Sequence, residues 1–124
     1  VTDTQRARPP LDGDERTNLE GWLDFYRDTL AGKCSGLTDD QLRTASAAPS
    51  TLTLMGLLQH EAEVERNWFR RVLLGEDVAP IYGEQSADGH SGGFDVAPGA
   101  SFETVYRTWQ DEIAVAKRNC AGRA

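Results

Sequence analysis

The apolar residues of this chain recur at steps of three and four, and no segment alternates convincingly with a period of two. That spacing is the strongest constraint on the fold, because such a stripe is buried only on a helix packed against other elements. Leu19, Trp22, Leu23, Tyr26 and Leu30 form one stripe. Leu54, Leu57, Leu58, Val64, Trp68, Val72 and Leu73 form a second, broader one, which leaves Glu61, Glu65, Arg66 and Arg70 mostly on the solvated side. Phe102, Val105, Tyr106, Trp109, Ile113, Ala116 and Cys120 form a third. The chain reads as all-α, a single domain over residues 1–124.

Local signals place the ends of these helices. Residues 1–13, with Pro9-Pro10 and Gly13, read as a loosely held arm. The first helix begins near Asp14, whose charge suits a helix N-terminus, and stops near Gly36. Thr38-Asp39-Asp40-Gln41 has the capping-box form and opens a short helix that Pro49 closes. Ser50, Thr51 or Thr53 caps the strongest helix, roughly 52–75, which Gly75 ends; Ser101 caps the last. Residues 76–100 hold five glycines, two prolines and no repeat, a loop long enough for a crossover or a functional lid. Extended at ~3.3 Å per residue it covers roughly 80 Å, enough to set the second and third long helices parallel.

Composition narrows the function. With 27% charged and 39% hydrophobic residues the chain is ordinary and globular. Thirteen Lys+Arg against 20 Asp+Glu give a net charge of −7, which leaves no phosphate-neutralising surplus for nucleic acid. No apolar run reaches the roughly 18 residues of a membrane span, and the first ten residues lack the apolar core of a secretory signal. Cys34 and Cys120 form neither a CxxC pair nor a disulfide framework, so a cytoplasmic protein with two inert, reduced thiols and no bond between them is expected. Trp22, Tyr26, Trp68, Tyr106 and Trp109 are more aromatic surface than three helices easily bury, which points to a homo-oligomer.

His60 is the residue with most chemical promise. Leu57 and Val64 share its helix face, so the imidazole should point into the bundle, either as a metal ligand or as a buried neutral histidine with one hydrogen-bond partner. Glu63 lies near the same edge and could ligate, orient His60 from behind, or pair with Arg66; Asn67 is also in reach. Position 64 is Val, so His60-Glu61 does not begin an H-E-x-x-H zinc motif. His90 sits in a flexible stretch, and Asp88 and Asp95 lack calcium-loop spacing. Gly89, Gly92 and Gly93 make neither a P-loop nor a dinucleotide fingerprint, and no G-x-S-x-G occurs.

Residues 22–70 resemble a known family through Trp22, Tyr26-Arg27, Thr29-Leu30, Lys33-Cys34-Ser35-Gly36-Leu37-Thr38, Gln41-Leu42, the run Ala48–Leu57, His60, Glu63–Arg66 and Trp68–Arg70. Tyr82, Phe94-Asp95-Val96, Ser101, Tyr106, Trp109 and Glu112 extend the likeness. The pattern is similar to the actinobacterial DUF664 or mini-circle proteins of the DinB/YfiT-like superfamily. The resemblance implies a four-helix bundle with up-down-down-up topology, its fourth helix absent from this chain. It further implies a divalent metal, Zn or Ni, whose first ligand is His60 and whose other ligands are not present in this sequence. Some superfamily members are thiol-dependent transferases or isomerases, so a small-molecule thiol of the mycothiol type is the implied partner. The alternative is a non-catalytic helical binding or structural protein with a vestigial site at His60.

Overall fold

The structure, a computed structural model, describes residues 6–83 and 92–123; His90 and Asp88 lie outside them. The chain divides into two compact units, Val1–Leu37 and Thr38–Ala124. All regular structure among the described residues is helical: α1 (Glu15–Cys34), α2 (Asp39–Leu42), α3 (Leu54–Arg66), a π-helical continuation over Asn67–Val72, and α4 (Phe102–Cys120). No described helix is long and apolar enough to cross a membrane.

The first unit is α1 and the segment before it. Asp14 caps the helix by accepting from the Thr17 N–H at 2.7 Å, which holds its carboxyl below the usual range. The helix stops where Gly36 takes a positive φ of 77°. The Arg6 guanidinium donates to Thr29 Oγ1 at 2.8 Å and lies over the Phe25 ring, while Pro9 and Pro10 sit against Gly21. The apolar stripe read from this helix is not its buried face: Ala31 and Cys34 are buried, whereas Leu19, Trp22, Leu23 and Tyr26 are exposed.

The second unit is built on α3 and α4. Of the three candidate caps Ser50, Thr51 and Thr53, it is Thr53 whose Oγ1 accepts from the Gly56 N–H, and Ser101 Oγ accepts from the Thr104 N–H as expected. Their contacts rise together along both helices, Arg66 meeting Glu112 and then the Phe69 carbonyl meeting Asn119, so the two run parallel. Parallel neighbours need a long connection, and residues 73–101 separate the two in the chain. The capping box at Thr38 and Gln41 forms in full, but α2 ends at Leu42, well before Pro49, and the Arg43 side chain donates to the Ala100 carbonyl. Asp39 then accepts from the Phe102 N–H at 3.0 Å, so the short helix fixes where α4 begins.

The buried face of α3 is Met55, Leu58 and Ala62, closed from α4 by Val105, Trp109, Ile113 and Ala116, with Leu42 of α2 beneath. This corrects the broader face read from the sequence, since Trp68, Val72 and Leu73 are exposed and Glu65 is buried. Each fully buried aliphatic side chain contributes about 1.5–3 kcal/mol. Leu58→Ala is therefore expected to lower unfolding free energy by about 2–5 kcal/mol in urea titration. Leu19→Ala, at an exposed position, should stay within about 0.5 kcal/mol of the parent.

Candidate functional site

The crossover runs back along α3 as a strap, and side chains of α3 and its π-helical continuation supply the partners its backbone lacks. Arg71 donates through Nε and Nη2 to the Val78 carbonyl at 3.0 and 2.9 Å. Arg66 Nη1 donates to the Ala79 carbonyl at 2.6 Å, and Glu63 Oε1 accepts from the Tyr82 N–H at 2.8 Å. Past residues 84–91, Gln59 Nε2 donates to the carbonyls of Gly93 and Asp95 at 2.7 and 2.9 Å. Burial pushes the Tyr82 phenol up; a hydrogen bond to Thr108 on α4 partly offsets the rise, and the Glu63 charge adds to it.

His60 belongs to this ladder. Its Nδ1 lies 2.9 Å from the Gly92 carbonyl, and its ring stacks on Phe94 with centroids 4.0 Å apart and planes at 16°. A carbonyl oxygen only accepts, so Nδ1 carries the proton and, in the neutral ring, Nε2 keeps its lone pair. The imidazole is half-buried and faces the strap. The group that orients it is the Gly92 carbonyl, while Glu63 is engaged by Tyr82.

His60, Glu63, Val64, Asn67, Trp68 and Arg71 line one long face of the helix, and Pro80, Gly83, Gly92 and Phe94 close it from the strap. Between them lies a groove of about 320 Å³, the lower end of the range for small-molecule sites. A larger concavity of about 760 Å³ shares Phe94 with it but is lined by Arg43, residues 50–53, Asp95 and Val96, with no imidazole or thiol. Of the two, the groove beside His60 is the one lined by an imidazole.

Next to the groove, Glu112 of α4 is buried, and one of its oxygens accepts from Arg66 Nε at 3.0 Å, Arg66 Nη2 at 2.7 Å and Arg70 Nη1 at 3.4 Å. Glu76 takes the Nε–H of Arg70 and is the main influence that raises that guanidinium's pKa. Sequence reasoning assigned Arg66 and Arg70 to solvent. The signal against that was their i,i+4 spacing, since two like charges stacked on one helix face need a carboxylate between them.

Among the described residues no three His, Cys, Asp or Glu side chains come together as a metal-binding group. His60 offers one nitrogen donor and Glu63 is already engaged, so these residues alone do not fit a catalytic zinc, which typically takes three protein ligands. Neither cysteine is in a disulfide. Burial pushes the Cys34 thiol up to about 11, so it is protonated and unreactive at neutral pH.

The mycothiol-S-transferase family matches residues 18–124, which covers most of the chain and the whole groove. The protein belongs to that family, and the DinB-like superfamily suggested by residues 22–70 is thereby established. Neither a curated protein nor a solved structure matches the chain.

Two expectations follow from this geometry. A Cβ at Gly93, whose φ is +94°, would meet Gln59 and the His60 nitrogen at 2.8 Å, so Gly93→Ala should lower the melting temperature and weaken protection of the strap amides in hydrogen exchange. Ellman's reagent should label Cys120 before Cys34 in the native protein. Because the unfolded Cys34 ionises near 9 and the folded one near 11, stability falls as pH rises through that window, which alkaline denaturation curves of Cys34→Ala against the parent will show.

Proposed function

We propose that this protein is a thiol S-transferase of the mycothiol type with His60 at its reacting centre. The observation that carries the reading is the imidazole on the groove wall, its Nδ1–H held by the Gly92 carbonyl so that Nε2 is the basic nitrogen. The family to which the chain belongs supplies the thiol class. In this mechanism a neutral thiol enters the groove and Nε2 accepts its proton as the sulfur attacks an electrophilic carbon. The leaving group departs with its electron pair, and the imidazolium then gives the proton to that group or to water. A divalent ion, Zn²⁺ or Ni²⁺, would occupy that same Nε2 lone pair, so His60 would serve as base or as ligand and not as both.

A general base contributes typically 10²–10⁴-fold. His60→Ala is therefore expected to lose about a hundredfold or more in the rate of S-conjugation of a low-molecular-weight thiol to a haloalkyl electrophile, with its helical circular dichroism retained. An unchanged rate would leave a non-catalytic binding role as the better account.

We further infer self-association and a cytoplasmic setting. Leu19, Trp22 and Tyr26 on α1, and Trp68 and Val72 beyond α3, expose apolar surface of the kind that marks interfaces. Sedimentation equilibrium should give a mass at least twice that of the chain; a monomer throughout the concentration range would refute the association.

A further inference from the structure

We propose that the first unit binds a small aromatic carboxylate between α1 and the segment that precedes it, with Arg8 as the anion-binding group. Contacts along its length lay that segment back over the helix. Arg6 Nη1 donates to Thr29 Oγ1 at 2.8 Å, and its guanidinium carbon lies 4.7 Å from the centre of the Phe25 ring. Gly21 gives the chain room to pass, because a Cβ there would meet Pro10 Cδ at 3.0 Å. Asn18 Nδ2 then donates to the Gly13 carbonyl at 3.3 Å. Segment and helix therefore run in opposite directions. Between them lies a cavity of about 360 Å³, lined by Arg6, Arg8, Pro9, Leu11, Trp22 and Phe25.

The lining sets the chemistry of the ligand. It joins two guanidiniums to two aromatic rings and contains no carboxylate, in a chain with 20 acidic residues against 13 basic ones. The two cations have different parts. Arg6 is held by Thr29 and Phe25 and supplies fixed positive charge. Arg8 is exposed, borders the same cavity and makes no hydrogen bond or ion pair with a described residue, which leaves its guanidinium fork to an acceptor from solution. An exposed arginine is ordinarily just solvated; this one stands over an aromatic corner. Trp22 and Phe25 have centroids 5.7 Å apart and planes at 81°, so a third ring can stack on one and turn its edge to the other. A planar carboxylate matches the guanidinium fork, and a cavity at the lower end of the range for small-molecule sites suits a single ring. Leu19 and Tyr26 do not line it, so it shares only Trp22 with the exposed apolar residues of α1 assigned above to self-association. Arg6, Arg8, Pro9 and Leu11 precede residue 18, where the family match begins, so the site stands apart from the transferase reading.

The test titrates benzoate, benzamide and cyclohexanecarboxylate into ¹⁵N-labelled protein and reads binding from the Trp22 indole N–H and the Arg8 side-chain resonances. Benzoate is expected to bind about tenfold tighter than benzamide, as one charge-assisted hydrogen bond allows. It should bind about threefold or more tighter than cyclohexanecarboxylate, the added worth of aromatic contact. Arg8→Gln should abolish the preference for acid over amide. Its benzamide affinity and helical circular dichroism should match the parent, which reports an intact cavity. Arg8→Lys, which keeps the charge, should retain part of the preference, and Trp22→Leu should bring benzoate down to the level of cyclohexanecarboxylate. His60→Ala should bind benzoate as the parent does, so the outcome here is independent of the outcome at the groove. The site is overturned by any of three results: no saturable shift with benzoate, equal binding of acid and amide by the parent, or a preference that survives in Arg8→Gln.

Discussion

An extended backbone lying along a helix brings N–H and C=O groups that no ladder satisfies, and this demand organises the functional half of the molecule. The described parts of residues 76–100 contain neither helix nor strand, so their partners must be side chains. Arg71, Arg66, Glu63, His60 and Gln59 supply them in the order in which the strap passes. The Gly93 carbonyl that Gln59 serves is buried, and leaving it without a donor would cost about 1–3 kcal/mol. Close approach is permitted by small residues on both sides. At Gly56 a Cβ would reach the Phe94 carbonyl at 2.7 Å, and Gly93 is equally tight against the Gln59 backbone.

The π-helical turn then sorts three arginines that follow closely in sequence into separate tasks. Its wider winding is a feature frequently found at functional sites. Arg66 and Arg70 converge on a single oxygen of Glu112 and tie the end of α3 to the middle of α4. Arg71 instead faces the strap and secures its first carbonyl. Removing Glu112 would leave Arg66 without a carboxylate and Arg70 with Glu76 alone, and loss of one partner of a buried ion pair is strongly destabilising.

Much of the fold was legible because it rests on short-range rules. The caps at Asp14, Thr38, Thr53 and Ser101, the stop at Gly36 and the apolar face of α4 are all local patterns. The crossover between parallel helices followed from loop length alone. The face of α3 did not, because hydropathy spacing cannot say that polar side chains will be covered by irregular backbone. Gln59, Glu63 and Glu65 are buried while Trp68 and Val72 are exposed. His60 was legible as a candidate from its neighbours at i−3 and i+4. Its orienting partner, a main-chain carbonyl 32 positions away, left no mark in residue identity. Arg71 was missed for the same reason, since its partner is the main-chain carbonyl of Val78.

The carbonyl that closes the groove also sets the state of the imidazole, so the two properties rise and fall together. If the strap lifts, Gly92 no longer holds the proton at Nδ1, the two tautomers become competitive, and Nε2 loses its assigned role. The chemically competent ring therefore exists only when the groove is formed. Charge adds a second coupling. A chain of net charge −7 repels thiolates from solution, whereas a neutral thiol meets no such barrier. Transfer of its proton to Nε2 creates an imidazolium–thiolate pair with no change in net charge, inside a groove where low dielectric strengthens the attraction between them. Under the proposed function, a base within the groove is thus a better source of thiolate than the solvent, and the strap is what would orient His60 for that role.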